Sequence, residues 1–234
     1  MSFFNLAEPP LRRKQDALDV QDQTGLWQLR WQIGQITLLS RFYTRVDQIF
    51  VIWGLITALI FVGAQFAPIS WVTQAYLWSG LTLVGVVVMT GLAWFWVSVE
   101  RLRWVVYSWA ILMLLGVSLT DLSIFLSWWL VLMYLCPLWL GLSAIGYFSM
   151  GVGMRSRTFL LTGLIHLLAM GLVPLAAGWQ FLATASVMAG SLLFLAEVQW
   201  DMRPPIDFSG LTLAQRQFNQ AQHRLRQLQP QRST

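Results

Sequence analysis

Six apolar runs, each about long enough to cross a bilayer, constrain this chain more than any other feature. A membrane core offers no hydrogen-bond partner to backbone N–H and C=O groups. Only a helix or a closed barrel survives there, and a helix needs about 20 apolar residues to cross. The runs fall at about 48–66 (QIFVIWGLITALIFVGAQF), 75–98, 104–119, 122–150, 159–177 and 181–198. They predict an all-α integral membrane protein. Its six-transmembrane-helix bundle covers 47–200, between an N-terminal segment 1–46 and a tail 201–234. Composition agrees: charged residues make up 11%, where a soluble domain carries about 25%.

The break between the third and fourth runs is the least marked, because residues 104–150 are almost all apolar. A single helix of that length would extend roughly 70 Å, more than twice the bilayer core. Thr120-Asp121 is the polar interruption. A tight turn is therefore expected there, with Asp121 as N-cap of the fourth span.

The basic residues set the orientation. All 15 Lys and Arg lie in four alternate polar segments. These hold Arg12, Arg13, Lys14, Arg30, Arg41 and Arg45; then Arg101 and Arg103; then Arg155 and Arg157; and finally Arg203, Arg216, Arg224, Arg226 and Arg232. The segments between them carry none. By the positive-inside rule both termini are expected in the cytoplasm, and losing one span would scramble the alternation. Trp71, Trp78 and Trp179 then mark the outer interface, and Trp94, Trp96, Trp104 and Trp200 the inner one. The net charge of +5 is a topology signal on this reading. The lipid bilayer, not nucleic acid, is the expected partner, since no basic run exceeds Arg12-Arg13-Lys14. No basic-then-apolar leader pattern opens the chain, so the first span is expected to direct insertion. The excess of Arg over Lys suits a bacterial cytoplasmic membrane, or an internal membrane such as a thylakoid.

Both cytoplasmic segments read as amphipathic. In 26–42, Trp27, Leu29, Trp31 and Ile33 alternate with polar residues, while Leu26, Leu29, Ile33 and Ile36 share a helical face. An interfacial amphipathic helix is the expectation and a β-hairpin arm the alternative. In the tail, Leu211, Ala214, Phe218, Ala221, Leu225 and Leu228 recur at spacings of 3, 4, 3, 4 and 3. They predict an amphipathic helix over 211–228, stopped by Pro230. Leu211, Phe218 and Leu225 could dock a membrane-protein partner or a second copy of the chain. Packing on the chain's own N-terminal segment or on lipid is the alternative.

Ionisable groups inside a membrane are costly and so are candidates for function. Asp47 opens the first span, where the helix dipole favours it. Glu100 and Glu197 end the second and sixth spans, where inner-interface ion pairs with Arg101, Arg103, Arg155, Arg157 or Arg203 are expected. No acidic residue is expected at mid-depth, which argues against proton- or sodium-coupled transport. His166 lies well inside the fifth run, roughly 10 Å deep. Thr162 and Gly163 share its face and turn it toward the bundle. It could bond a neighbouring helix, transfer a proton, or ligate haem or chlorophyll; no other cofactor is expected. Pro137 and Pro174 can kink their helices, and Pro137 with His166 could line a solute path. Cys136 is the one cysteine, so no intrachain disulfide or thiolate cluster can form. Gly54 with Ala58, Ala185 with Ala189, and Ser186 with Gly190 have the spacing of close helix contacts. No metal-ligand cluster, phosphate loop or carboxylate pair is evident.

Gly141-Leu142-Ser143-Ala144 in the fourth run, with His166 in the fifth, resembles part of the rhomboid protease pattern. Those six-span enzymes carry Gly-x-Ser in the fourth span and a histidine in a later one. The resemblance implies Ser143 as nucleophile and His166 as its base. It is confined to these residues. The family's histidine lies in span six within a glycine-rich run, its serine lies near the outer surface, and its second-span histidine has no counterpart here. Packing beside Ala144 and Gly146 is the alternative for Ser143. The function expected from the whole sequence is a non-enzymatic accessory, assembly or scaffold protein of a membrane complex. A passive channel or carrier for a small neutral solute, and haem or pigment binding at His166, are the alternatives.

Overall fold

A capping box starts the first span: Thr44 Oγ1 accepts from Asp47 N at 3.3 Å, and Asp47 Oδ2 accepts from Thr44 N at 2.8 Å. The computed structural model describes residues 3–4, 9–15, 17–33, 36–203, 208 and 210–228. In chain order these form strand β1 (Leu11–Arg12), short helix α1 (Val20–Gln23), strands β2 (Trp27–Ile33) and β3 (Ile36–Tyr43), and helices α2 (Arg45–Phe66), α3 (Trp71–Val99) and α4 (Arg103–Phe125). There follow α5 (Trp129–Met133), α6 (Leu135–Met154), α7 (Arg157–Leu172) with a 3-10 turn at Val173–Leu175, α8 (Gln180–Glu197), β4 (Gln199–Trp200) and α9 (Leu213–Leu228). Six of them, α2, α3, α4, α6, α7 with its turn, and α8, are long and apolar enough to cross a membrane.

These six helices form a closed ring. α2 packs on α3, α3 on α4, α4 on α6 and α6 on α7; α8 closes the circle against α7 and, more extensively, α2. Small residues allow the close approaches. A Cβ added at Gly146 of α6 would come within 2.6 Å of the Trp109 ring of α4, and one at Gly54 of α2 within 2.9 Å of Leu193 of α8. Gly190, by contrast, faces open space.

Three expectations are corrected. The turn between the third and fourth spans is not at Asp121. Helix α4 runs through that residue to Phe125, Ser127 turns with φ of 52°, and the fourth span begins at Leu135. Thr120 returns its hydroxyl to Gly116 O at 2.7 Å, and Ser79 of α3 donates to Asp121 Oδ2 at 2.8 Å. Polar side chains bonded to their own helix or to a neighbour, as Thr120 and one oxygen of Asp121 are, do not end a helix. The second span likewise starts earlier, at Trp71, capped by Ser70. Third, the segment expected as an interfacial helix is an antiparallel hairpin, with Trp27 opposite Tyr43 and Leu29 opposite Arg41. Here the period of two prevails over the helical reading, in line with the β-branched and aromatic content. The all-α description therefore holds for the spans, while the terminal segments add short strands.

Both terminal segments gather on one face of the ring, the tail face. β1 pairs with β4 through Leu11–Trp200 and Arg12–Gln199, and α9 lies on α1. Asn219 of α9 accepts from Val20 N at 2.9 Å, and Arg226 holds both carboxylate oxygens of Asp19. Asp201, just after β4, caps α7 from a distance. It accepts from the N–H groups of Arg157 and Thr158, both at 3.1 Å, from the Ser156 hydroxyl at 2.9 Å and from Arg157 Nε at 2.9 Å, and it shares the Thr158 hydroxyl, also at 2.9 Å, with Pro10 O at 2.6 Å. Burial alone would raise this carboxyl's pKa, but the bonds from Arg157, Thr158 and Ser156 outweigh it and hold the pKa below the usual value.

Candidate functional site

The ring encloses an elongated cavity, about 1310 Å³ of space including its opening. Each lining stripe follows helical spacing: Phe50, Trp53, Thr57 and Phe61 on α2; Thr82, Met89, Ala93 and Trp96 on α3; Trp109, Met113, Val117 and Thr120 on α4; Trp139, Ser143, Tyr147 and Met150 on α6. Helix α8 adds Met188 and Leu192, and α7 adds His166. The wall is almost wholly apolar with a few polar groups, the character of a small-molecule site.

His166 is fully buried, nine residues past the start of α7 and so roughly 14 Å along it. Its Nδ1 lies 2.9 Å from Thr162 O. A carbonyl only accepts, so Nδ1 carries the proton and Nε2 presents a lone pair. That Nε2 is buried in the cavity wall without a partner among the described residues. The ring is held against Tyr147, 4.8 Å between centroids, and Tyr147 stacks on Phe159 and meets Trp109 edge-on. Such packing fixes the direction of the lone pair. Two more buried polar atoms lack partners in the same wall, Trp53 Nε1 and Asp121 Oδ1. One is a donor and one an acceptor, so with His166 the cavity offers unmatched capacity of both kinds.

A second, polar cavity lies on the tail face, about 970 Å³ including its opening. It shares only Val46 and Trp96 with the first. Its wall joins α1 (Gln21, Asp22), the end of α3 (Glu100), and Arg203 beyond β4. Trp96 Nε1 donates to Asp22 Oδ1 at 2.9 Å, and Gln21 Nε2 donates to Glu100 Oε1 at 3.1 Å. Burial pushes the Asp22 carboxyl up to about 6 and that of Glu100 up to about 7. Burial also lowers the pKa of Arg203, against the nearby Glu100.

The structure brings together Ser143 and His166, which line one cavity. It does not join them: His166 Nδ1 is engaged by Thr162 and Nε2 has no partner, so the hydrogen bond of a serine–histidine pair is absent. Pro137 is buried in α6 but is not in the cavity wall. The ion pairs expected for Glu100 and Glu197 are rearranged. Glu197 pairs with Arg41 at 2.5 Å and accepts from the Tyr43 hydroxyl at 2.6 Å, a bond that raises the tyrosine to about 12. Arg157 pairs with Asp201, and Asp47 with Lys14 at 2.8 Å. Glu100 bonds Gln21, while Arg203 donates to its backbone carbonyl. Arg155 lies over the Phe3 ring. In the tail, Leu211 is buried within the chain, Phe218 half-buried and Leu225 50% exposed.

Sequence reading did not find Asp121 as a cavity residue, nor Asp22, Gln21 and Asp201. A polar pair at a presumed turn concealed the first. The others act across more than 40 residues of sequence, with no local signal. No family model, no curated protein and no solved structure matches the chain.

Proposed function

We propose that this protein is a membrane carrier or intramembrane binding protein for an uncharged, mostly apolar small molecule bearing a hydroxyl or N–H donor. The observation that carries the reading is the lone pair of His166 Nε2, held without a partner in a cavity to which all six spans contribute. An apolar wall favours a ligand that gives up little hydration. A single buried acceptor selects one that supplies a donor, since leaving the acceptor unpaired costs about 1–3 kcal/mol. Trp53 Nε1 and Asp121 Oδ1 add one donor and one acceptor for a second polar group. The basic residues favour tails in the cytoplasm; on that orientation the polar pocket serves as the cytoplasmic vestibule of the path.

The test is purification from the native host in mild detergent, followed by denaturation, organic extraction and mass spectrometry. A near-stoichiometric uncharged organic molecule is expected in the wild type. It should be depleted in His166→Phe, which keeps ring volume but removes the acceptor. Wild-type protein that carries only lipid and detergent, or equal occupancy in the variant, overturns the proposal. An imidazole with Nδ1 tied to a carbonyl is also arranged as an axial ligand would be, so a visible spectrum of the same preparation separates haem or pigment from a colourless ligand.

One observation favours a second reading, an accessory subunit of a larger membrane complex. The β2–β3 hairpin exposes Trp27 at 68% and Leu29 at 55%. Co-purification of a defined partner, lost on Trp27→Ser with Leu29→Ser, would support it.

A further inference from the structure

Trp96 and Val46 line both the cavity and the tail-face pocket, so the two spaces meet at these side chains. Trp96 is held in place by α1, its indole N–H bonded to Asp22. Gln21 of the same short helix is a two-way bridge: its amide N–H donates to Glu100 at the end of α3, and its carbonyl accepts from Asn219 of α9 at 3.1 Å. Both bonds from α1 to α3 therefore run through a carboxylate. Glu100 is only 3% exposed, and its Oε2 has no partner among the described residues.

Glu100 is buried and Asp22 half-buried, and two neighbouring carboxylates so placed disfavour each other's ionisation. Asp19 adds a third negative group but is engaged by Arg226; Lys14 is engaged by Asp47. Arg203 is the cation that acts most on Glu100, yet its hydrogen bond goes to the Glu100 backbone, not the carboxylate. Arg12 and His223 complete the charged and titratable wall of the pocket. When α1 lies on the end of α3, the arrangement is thus compatible with neutral Asp22 and Glu100 and opposed by ionised ones.

We infer that Asp22 and Glu100 form a proton-binding site that holds α1 over the tail-face end of the central cavity, and that loss of the protons opens the cavity to that side. Neutral carboxyls still accept from Trp96 and Gln21, so the lid stays down. Ionised carboxylates favour water, and α1 lifts with Trp96 released. The sign follows from linkage. Both groups have pKa values raised by closure, to about 6 and about 7. The closed form is therefore favoured at low pH and loses that advantage as pH rises through those values. The proposal deepens the carrier reading, in that the solute path becomes proton-linked, but the site does not require a bound solute.

Its test reads accessibility, so the two proposals fail separately. In a Cys136→Ala background, Val97→Cys places a thiol in the cavity wall next to Trp96. Vesicles that expose the tail face are treated with a membrane-impermeant methanethiosulfonate at pH 5.5 and pH 8. Rates are divided by those of the same protein carrying Asp22→Asn and Glu100→Gln, which cancels the thiol's own ionisation. A ratio near one at pH 5.5, rising about tenfold or more at pH 8, is expected. A ratio of one at both values overturns the inference and assigns any remaining pH dependence to His223 or another group. If the double variant does not fold, rates for the reference protein divided by those of glutathione at each pH distinguish the same two outcomes. An expected ratio with no extractable ligand would leave the gate standing and remove the carrier reading.

Discussion

Replacing Asp201 with alanine should loosen the start of α7, and through it the placement of His166. The carboxylate accepts four bonds from Ser156, Arg157 and the Thr158 N–H, shares the Thr158 hydroxyl with Pro10 O, and is 1% exposed. Removing an N-cap costs about 1 kcal/mol. Arg157 is partly exposed, so its ion pair is worth no more than about 1 kcal/mol. The remaining hydroxyl and N–H groups lose a charged, buried acceptor, worth roughly 1.5 kcal/mol more after the freed hydroxyls turn to other partners. The sum is about 3 kcal/mol, or a fall in melting temperature of about 6–12 °C for a chain of this size. Asp201→Asn, which retains one acceptor oxygen, should lose about half as much. The assay is thermal unfolding in detergent, with Ser186→Ala as a neutral control, since that exposed hydroxyl bonds only Leu182 O of its own helix. The folded pKa of Asp201 lies below its unfolded value of about 3.9, so the contribution is full above that pH and lost as pH falls through the folded value. The gap between the reference protein and Asp201→Asn should therefore close in acid. An Asp201→Ala protein melting within about 2 °C of the reference, or a gap unchanged by acid, would refute the capping argument.

Gly146→Leu forces a side chain into the Trp109 ring, which an added Cβ already meets at 2.6 Å. It should destabilise by about 1–3 kcal/mol in thermal unfolding; an unchanged melt would mean that α4 and α6 are not held at this contact. Trp27→Ser with Leu29→Ser, on the exposed hairpin, should change stability by less than about 0.5 kcal/mol. A loss of several kcal/mol would mean that the hairpin packs on the bundle.

The segments that solvent chemistry governs were the ones open to reading in advance. The six spans are visible because lipid imposes one requirement, about 20 apolar residues with an internally satisfied backbone, that acts on each segment alone. The gathering of both tails on one face agrees with the even number of spans and the alternating Arg pattern. His166 could be placed inside the bundle from Thr162 and Gly163 on its face. The tail stripe marked α9, but whether it would meet another protein or its own chain was open; Leu211 is buried internally, and Asn219 and Arg226 bind α1 and the residue before it.

Position along the chain left other features undetermined, because they depend on neighbours that only folding supplies. Asp121 looks like a helix start until Ser79 of another helix is seen to bond one of its oxygens. Residues 26–42 fit two periods, and strand pairing decides between them. The partners of Glu100, Glu197 and Arg157 differ from those expected, since Gln21, Arg41 and Asp201 reach them across 79, 156 and 44 residues. Hydropathy thus determined how many long apolar helices form, while their ends at Trp71, Phe125 and Leu135 were set by caps and neighbours. The cavity, its unpaired imidazole nitrogen and the carboxylate pair beneath the lid arose only when the ring closed, because a void and a missing hydrogen-bond partner are properties of several helices together.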